Sequence, residues 1–202
     1  DLAALGDLDA LCRVAVERGP QTLGVRRMAL WFRTDDPAVV SGSYGVDEHG
    51  QIRDERASRV HVSEPTLMGR VLFRGETTVM QRDAELRDDR GEIVGRGDAV
   101  IAAISAERNV LGCICADTLH SPEPMDTLQA DLLFLFGAAL GQIWRRVRAE
   151  RDVADLEVRY RHLFETAQDA FVIFDPETHR ILDANDSWLR MYRLPRERLA
   201  GV

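Results

Sequence analysis

The chain has 202 residues, enough for one full domain and part of a second. Hydrophobic residues make up 45% of it, which supports a buried core, and a formal net charge of −8 argues against a nucleic-acid or anionic-membrane surface. No stretch reaches the roughly 20 consecutive apolar residues that span a bilayer, so no membrane insertion is expected. The N-terminus lacks a basic region followed by an apolar run, and an odd set of thiols (Cys12, Cys113 and Cys115) fits a reducing compartment, so a cytoplasmic location is expected.

Leu2 to Arg18 reads as a helix, with Leu5, Leu8, Leu11, Cys12, Ala15 and Val16 on the helical period and Gly19-Pro20 as its stop. Val25 to Arg33 is strand-like and apolar on both faces in its second half, as in a sheet covered on both sides. After a turn at Asp35-Asp36-Pro37 a second strand runs from Ala38 to Tyr44, a polar loop spans Gly45 to Arg56, and Ser58 to Val62 is a third strand. Glu64-Pro65 marks a helix start with Pro in the first turn; Thr66 to Phe73 carries the helix, and Gly75 ends it. Thr77 to Met80 is a short strand, and the polar, glycine-containing Asp83 to Gly97 is read as a long mobile connection. Ala99 to Ala106 and Val110 to Ala116 are two further strands joined by a hairpin turn at Glu107-Arg108-Asn109, with Asn109 at a position that tolerates positive φ. Ser121 to Pro124 is a loop.

A long helix begins near Met125. Leu133, Phe136, Leu140, Ile143 and Val147 step by three and four, the spacing of a coiled-coil seam and the candidate homodimer interface. A second row, Leu128, Leu132, Leu135 and Ala139, lies beside it and widens the stripe enough to pack on a sheet. Beyond a charged stretch the apolar steps resume at Val153, Leu156, Tyr160 and Leu163, out of phase with the first row, which predicts a phase break near Arg148 to Asp152. No Gly or Pro interrupts residues 142–164, which favours one continuous helix. The outline is α+β: an antiparallel sheet with its two terminal helices on one face, and helices expected on both faces in all.

From Asp98 to Trp144 the chain reads as an apolar strand, a turn, a strand of "x-G-x-x-x-x-D" form, a polar loop and a helix of "LLxxhAxxhGxAI" type. That succession, with the starting helix and Gly69 to Glu76, resembles the GAF family of small-molecule-binding and dimerising regulatory domains, over about residues 1–144. Residues 145–159 would be a helical coiled-coil linker. Tyr160 to Val202 resembles the first half of a PAS domain: a lead-in helix, strands at Ala170–Phe174 and Arg180–Asp183, Asn185 opening a helix, and a "Y-x-x-x-R-E-x-L-x-G" segment from Tyr192 to Gly201. The PAS resemblance implies an incomplete domain whose strands lack sheet neighbours, so the tail is expected to be poorly ordered, swapped or reduced to its lead-in helix, with exposed apolar edges.

The resemblance places a ligand pocket between the sheet and the 66–97 segment, with Trp31, Tyr44, Met68, Cys113 and Cys115 as candidate lining residues; each also reads as ordinary core. The motifs of the cyclic-nucleotide and bilin-binding GAF branches are missing, and His61 on a strand reads as a half-exposed polar residue rather than a haem ligand. Cys113 and Cys115 share a strand face, but with no matching pair they make a poor zinc site. Asp47 to Arg56 lacks calcium-loop spacing and reads as a turn with local ion pairs. No catalytic motif is found, no metal site is expected, and the cofactor stays unidentified. The resemblance implies a bacterial sensory module that binds a small molecule or partner signal and relays it through a dimeric helix to downstream output. The alternatives are a ligand-free dimerisation scaffold, or the regulatory part of a histidine kinase or diguanylate cyclase.

Overall fold

A computed structural model of the chain describes residues 8–119, 121 and 123–201. Leu2 to Asp7 of the expected first helix, Pro122 of the expected loop and Val202 lie outside the described residues. The chain divides into two compact units, Asp1–Arg148 and Ala149–Val202.

The first unit is built on a seven-stranded antiparallel sheet. In chain order come α1 (Leu8–Leu23), β1 (Arg27–Arg33), β2 (Val39–Val46), β3 (Ile52–Asp54), β4 (Arg59–His61), α2 (Leu67–Arg74), β5 (Thr78–Arg87), β6 (Ile93–Ala106) and β7 (Asn109–Asp117). The sheet order is β3-β2-β1-β7-β6-β5, with β4 paired to β2. Strand alternation gives each face its own core. Met28, Leu30, Val100, Ala102, Ile104 and Ile114 pack under α1 and the start of the last long helix, α3 (Thr127–Thr166). Trp31, Ile101, Ala103 and Cys113 pack under Val71 and Leu72 of α2. The α+β class with helices on both faces is therefore observed.

Local chemistry explains where the elements depart from the sequence reading. Helix α1 continues through Pro20 and ends at Gly24, which takes φ +68°. Val25 N–H donates to the Pro20 carbonyl at 3.0 Å, the six-to-one bond of a glycine-terminated helix, so the stop is Gly24 and not Gly19-Pro20. Thr66 caps α2 by accepting from Gly69 N–H at 3.0 Å, which places Pro65 ahead of the helix. The 45–56 loop contains β3, and the 83–97 connection is the paired end of a long β5–β6 hairpin. Its buried Ala84 and Leu86 alternate with exposed charges, including an Arg96–Asp83 pair. Both hairpins turn on one device: Asp47 and Asp88 each accept two following backbone N–H groups, and Gly50 and Gly91 take positive φ. In the β6–β7 turn the positive φ falls on Glu107, and Asn109 opens β7.

Helix α3 runs unbroken for 40 residues. Gly137 and Gly141 let its backbone approach β6 directly; a Cβ at either would collide with the carbonyl oxygen of Ala103 or Ser105. Leu133 and Leu140 fill the adjoining core, with Phe136 and Ile143 packed against it and Val147 buried. By length and composition α3 is apolar enough to cross a bilayer, a test the sequence reading expected it to fail. Here the buried side of its first half rests on the sheet.

The second unit carries the end of α3, strands β8 (Val172–Phe174) and β9 (Ile181–Ala184), α4 (Asp186–Tyr192) and a 3-10 turn at Arg196–Gly201. Fully buried Asn185 organises it. Its Oδ1 accepts from Phe171 and Trp188 N–H, and its Nδ2 donates to the Phe164 and Asp169 carbonyls. A folded hairpin and capped helix therefore stand where the sequence reading expected a poorly ordered or swapped tail. The expected exposed apolar edges are present at Phe171 to Phe174 and Leu182.

Candidate functional site

A cavity of about 340 Å³ opens between the α2 side of the sheet and the segments that fold over it. Trp31 of β1, Ile101 of β6 and Cys115 of β7 form its floor, Leu67 and Met68 of α2 one wall, and Leu86 to Gly91 of the β5–β6 hairpin another. Volume and apolar lining are those of small-molecule sites. A second depression of about 280 Å³, lined by Gly24, Asp117 and Gln129 among others, is the more polar, and Gln129 there is tied to the Gly24 carbonyl.

Three of the five candidate residues line the larger cavity: Trp31, Met68 and Cys115. Cys113 lies one pleat further along the same face, fully buried in the core below α2. A hydrogen bond with Cys113, then burial, raises the Cys115 thiol well above its ordinary pKa, so it stays protonated. Tyr44 is on the opposite face, in the α1 core, where its hydroxyl donates to Asp9 at 2.9 Å. The reason is a bulge. Ala29 pairs with Gly45 but Trp31 pairs with Gly42, so β2 carries one extra residue there and its side chains change faces. His61 is an exposed residue of β4.

The same bulge creates the most unusual feature of the cavity. Glu55, just after β3, lies over Gly42 and Gly45, and a Cβ on Gly45 would sit 2.6 Å from its Oε1. The side chain is only 4% exposed, yet it lines the cavity. Its Oε1 receives a long bond from Arg53 at 3.3 Å, while Oε2 has no hydrogen-bond partner. Burial raises the carboxyl above its ordinary pKa, with Arg53 opposing. Arg53 itself is held by Asp89 at 2.9 Å and Glu48 at 3.2 Å. Arg27 also lines the cavity, but its guanidinium is spent on Asp117, the Val46 carbonyl and the Arg87 carbonyl. Sequence reasoning passed over Glu55 because its burial depends on the two glycines of the bulge. Their spacing, and the return of the chain past them, were the only available signals. Among the described residues no group of three or more His, Cys, Asp or Glu could hold a metal ion.

Solved structures give the comparison for this geometry. The chain superimposes on the GAF domain of a phosphoenolpyruvate-protein phosphotransferase from Coxiella burnetii with a TM-score of 0.60 and 14% identity, covering 75% of this chain and 90% of that one. The fold is that of a GAF domain. A methyl-accepting chemotaxis protein, residues 122 to 287, is similar at TM-score 0.60 and 14% identity, covering 74% of this chain and 98% of that one. The free methionine-R-sulfoxide reductase of Neisseria meningitidis, solved in complex with its substrate, is similar at TM-score 0.56 and 14% identity, covering 74% and 84%. The family model described as PAS domain matches residues 158–201. No curated protein sequence matches the chain.

Proposed function

We propose that the chain is a regulatory module of a cytoplasmic signal-transduction protein, in which the GAF-fold unit binds a small molecule and a paired long helix passes the change onward. The observation that carries the reading is the cavity: apolar floor and walls, a volume suited to one small ligand, and a polar group at its edge left unsatisfied. The free methionine-R-sulfoxide reductase supports it in part, since that protein of like fold is described in complex with its substrate. The adjoining match to PAS domains, a second domain type of sensory proteins, supports the regulatory part.

The pairing surface we propose is a row of α3 different from the one buried on the sheet. Leu133, Leu140 and Val147 are committed within their own unit. Left exposed in the first unit are Leu128, Leu135 and Ala139, and in the second Val153, Leu156, Tyr160 and Leu163. With half-buried Leu132 and exposed Gln142, Arg146 and Ala149 these form one uninterrupted series of steps of four and three, with Leu128, Leu135, Leu156 and Leu163 at four of its six alternate positions. Along this proposed row no phase break is required, because the two rows compared in the sequence lie on different faces of one helix. Gln142 and Arg146 weaken the middle of the seam, where a shift of packing costs least.

Native mass spectrometry of the purified chain, with an absorbance spectrum, tests the ligand part. A bound small molecule lost on denaturation, or added mass from a metabolite extract that Met68→Trp abolishes, is the expected result. A chain that takes up nothing overturns ligand binding and leaves the scaffold reading, which the exposed seam favours independently.

A further inference from the structure

We propose that the cavity takes a small organic cation, a protonated amine or amidinium on an apolar body, whose N–H group satisfies Glu55. The inference rests on the cavity being a ligand site and adds the chemistry of the ligand.

Two independent observations point the same way. The first is the orphaned Glu55 oxygen. A buried acceptor without a partner loses the hydrogen bond it had in water, and native proteins seldom leave one so. Gly45 shows that room for this carboxylate is built into the strand beneath it, since any side chain there would strike Glu55. The second is the charge around the cavity. Glu55, Glu85, Asp88, Asp89 and Asp117 line it against Arg27 and Arg87. Both arginines are already engaged, Arg27 as described and Arg87 with Glu85 at 2.6 Å and the Gly91 carbonyl at 2.7 Å. An anionic ligand would meet this acidic excess with both lining guanidiniums engaged, and the unpartnered Arg53 Nε is not part of the lining; a cation would meet a buried carboxylate needing a donor. Trp31, Met68, Leu86 and Ile101 offer the apolar surface for its body.

Three probes with one indole body separate charge from shape: tryptamine (cationic), tryptophol (neutral) and indole-3-propionate (anionic). Each is titrated calorimetrically into the full chain at neutral pH, in wild type and in Glu55→Gln. The expected result is tryptamine binding at least about tenfold more tightly than tryptophol, about 1.4 kcal/mol, with indole-3-propionate weakest. In Glu55→Gln the preference for tryptamine collapses while tryptophol binds as before, which shows the cavity intact. If the variant does not fold, the wild type alone decides. Arg53 of β3, Asp89 of the β5–β6 turn and Arg27 of β1 face Glu55, and of this set Glu55 is the acid held above its ordinary pKa by burial. Tryptamine affinity therefore falls as the pH is lowered through the raised folded-state pKa of Glu55, while tryptophol affinity does not. Equal or tighter binding of tryptophol, or a preference for tryptamine that survives both Glu55→Gln and acidification, overturns the cation assignment and leaves the ligand site standing. Failure of all three probes together with failure to retain or take up any metabolite overturns both.

Discussion

Glu55 and Asn185 are both buried polar side chains, and they are satisfied to opposite degrees. Asn185 uses its carbonyl and both amide hydrogens to tie four backbone groups together. Asn185→Ala leaves those groups without a partner, at about 1–3 kcal/mol for each that stays buried. The expected outcome is loss of the second unit's structure, seen as rapid amide exchange and protease cutting after residue 165, with the first unit's protection unchanged. Glu55 is under-satisfied. Its folded-state pKa lies above that of the unfolded chain, so the folded state holds the proton more tightly. The contribution of this group is complete below the unfolded pKa and is lost as pH rises through the folded one. Glu55→Gln removes that loss. Urea unfolding from about pH 5 to about pH 8 should show wild type losing stability relative to the variant as pH rises, with the variant ahead by about 1 kcal/mol at neutral pH. Parallel pH profiles would show that the carboxylate has found a partner in solution.

At the scale of elements, backbone approach decides the packing of α3. A glycine in mid-helix disfavours helix by about 1 kcal/mol relative to Ala, so Gly137→Ala on an open face would stabilise. Here the new methyl group meets the Ala103 carbonyl, and overpacking of this kind costs about 1–3 kcal/mol. The collision outweighs the propensity gain, and Gly137→Ala lowers the urea midpoint of the first unit. The same contrast between pattern and contact explains what was legible beforehand. Strands β6 and β7 were readable because apolar side chains line both faces of a covered sheet. The β5–β6 hairpin was misread because its outer side chains are charged and its glycines (Gly95 and Gly97) mark close contacts with Leu119 and Thr118, not flexibility. Trp31 and Cys115 reached the cavity as regular strand alternation predicts, and Met68 reached it from the first turn of α2. Tyr44 did not, since a one-residue bulge is a property of two paired strands, and Gly42 and Gly45 alone do not fix where the extra residue falls.

For the molecule as a whole, the decisive fact is the amount of apolar surface that α3 leaves uncovered. Every described residue from Ala149 to Leu163 is exposed, including Val153, Leu156, Val158, Tyr160 and Leu163. A single helix of that length without a packed face is marginal in water, because most helical stability in proteins comes from tertiary contacts. Exposed apolar patches of this kind mark association surfaces. The proposed second copy would meet the requirement through the heptad series, in which Leu128, Leu135, Leu156 and Leu163 take the position where Leu favours two-stranded pairing and Val153 takes the β-branched one. Leu156→Glu combined with Leu163→Glu places like charges in that seam, while Leu182→Glu puts the same charge on an exposed apolar residue of β9. Sedimentation velocity over a range of concentrations should show wild type and Leu182→Glu as dimers and the double variant as a monomer. The GAF-fold unit keeps its own core, so its urea midpoint should move little. If the double variant stays dimeric, the seam lies elsewhere and the relay through α3 goes with it. If wild type is monomeric at all concentrations, the exposed row belongs to a different partner.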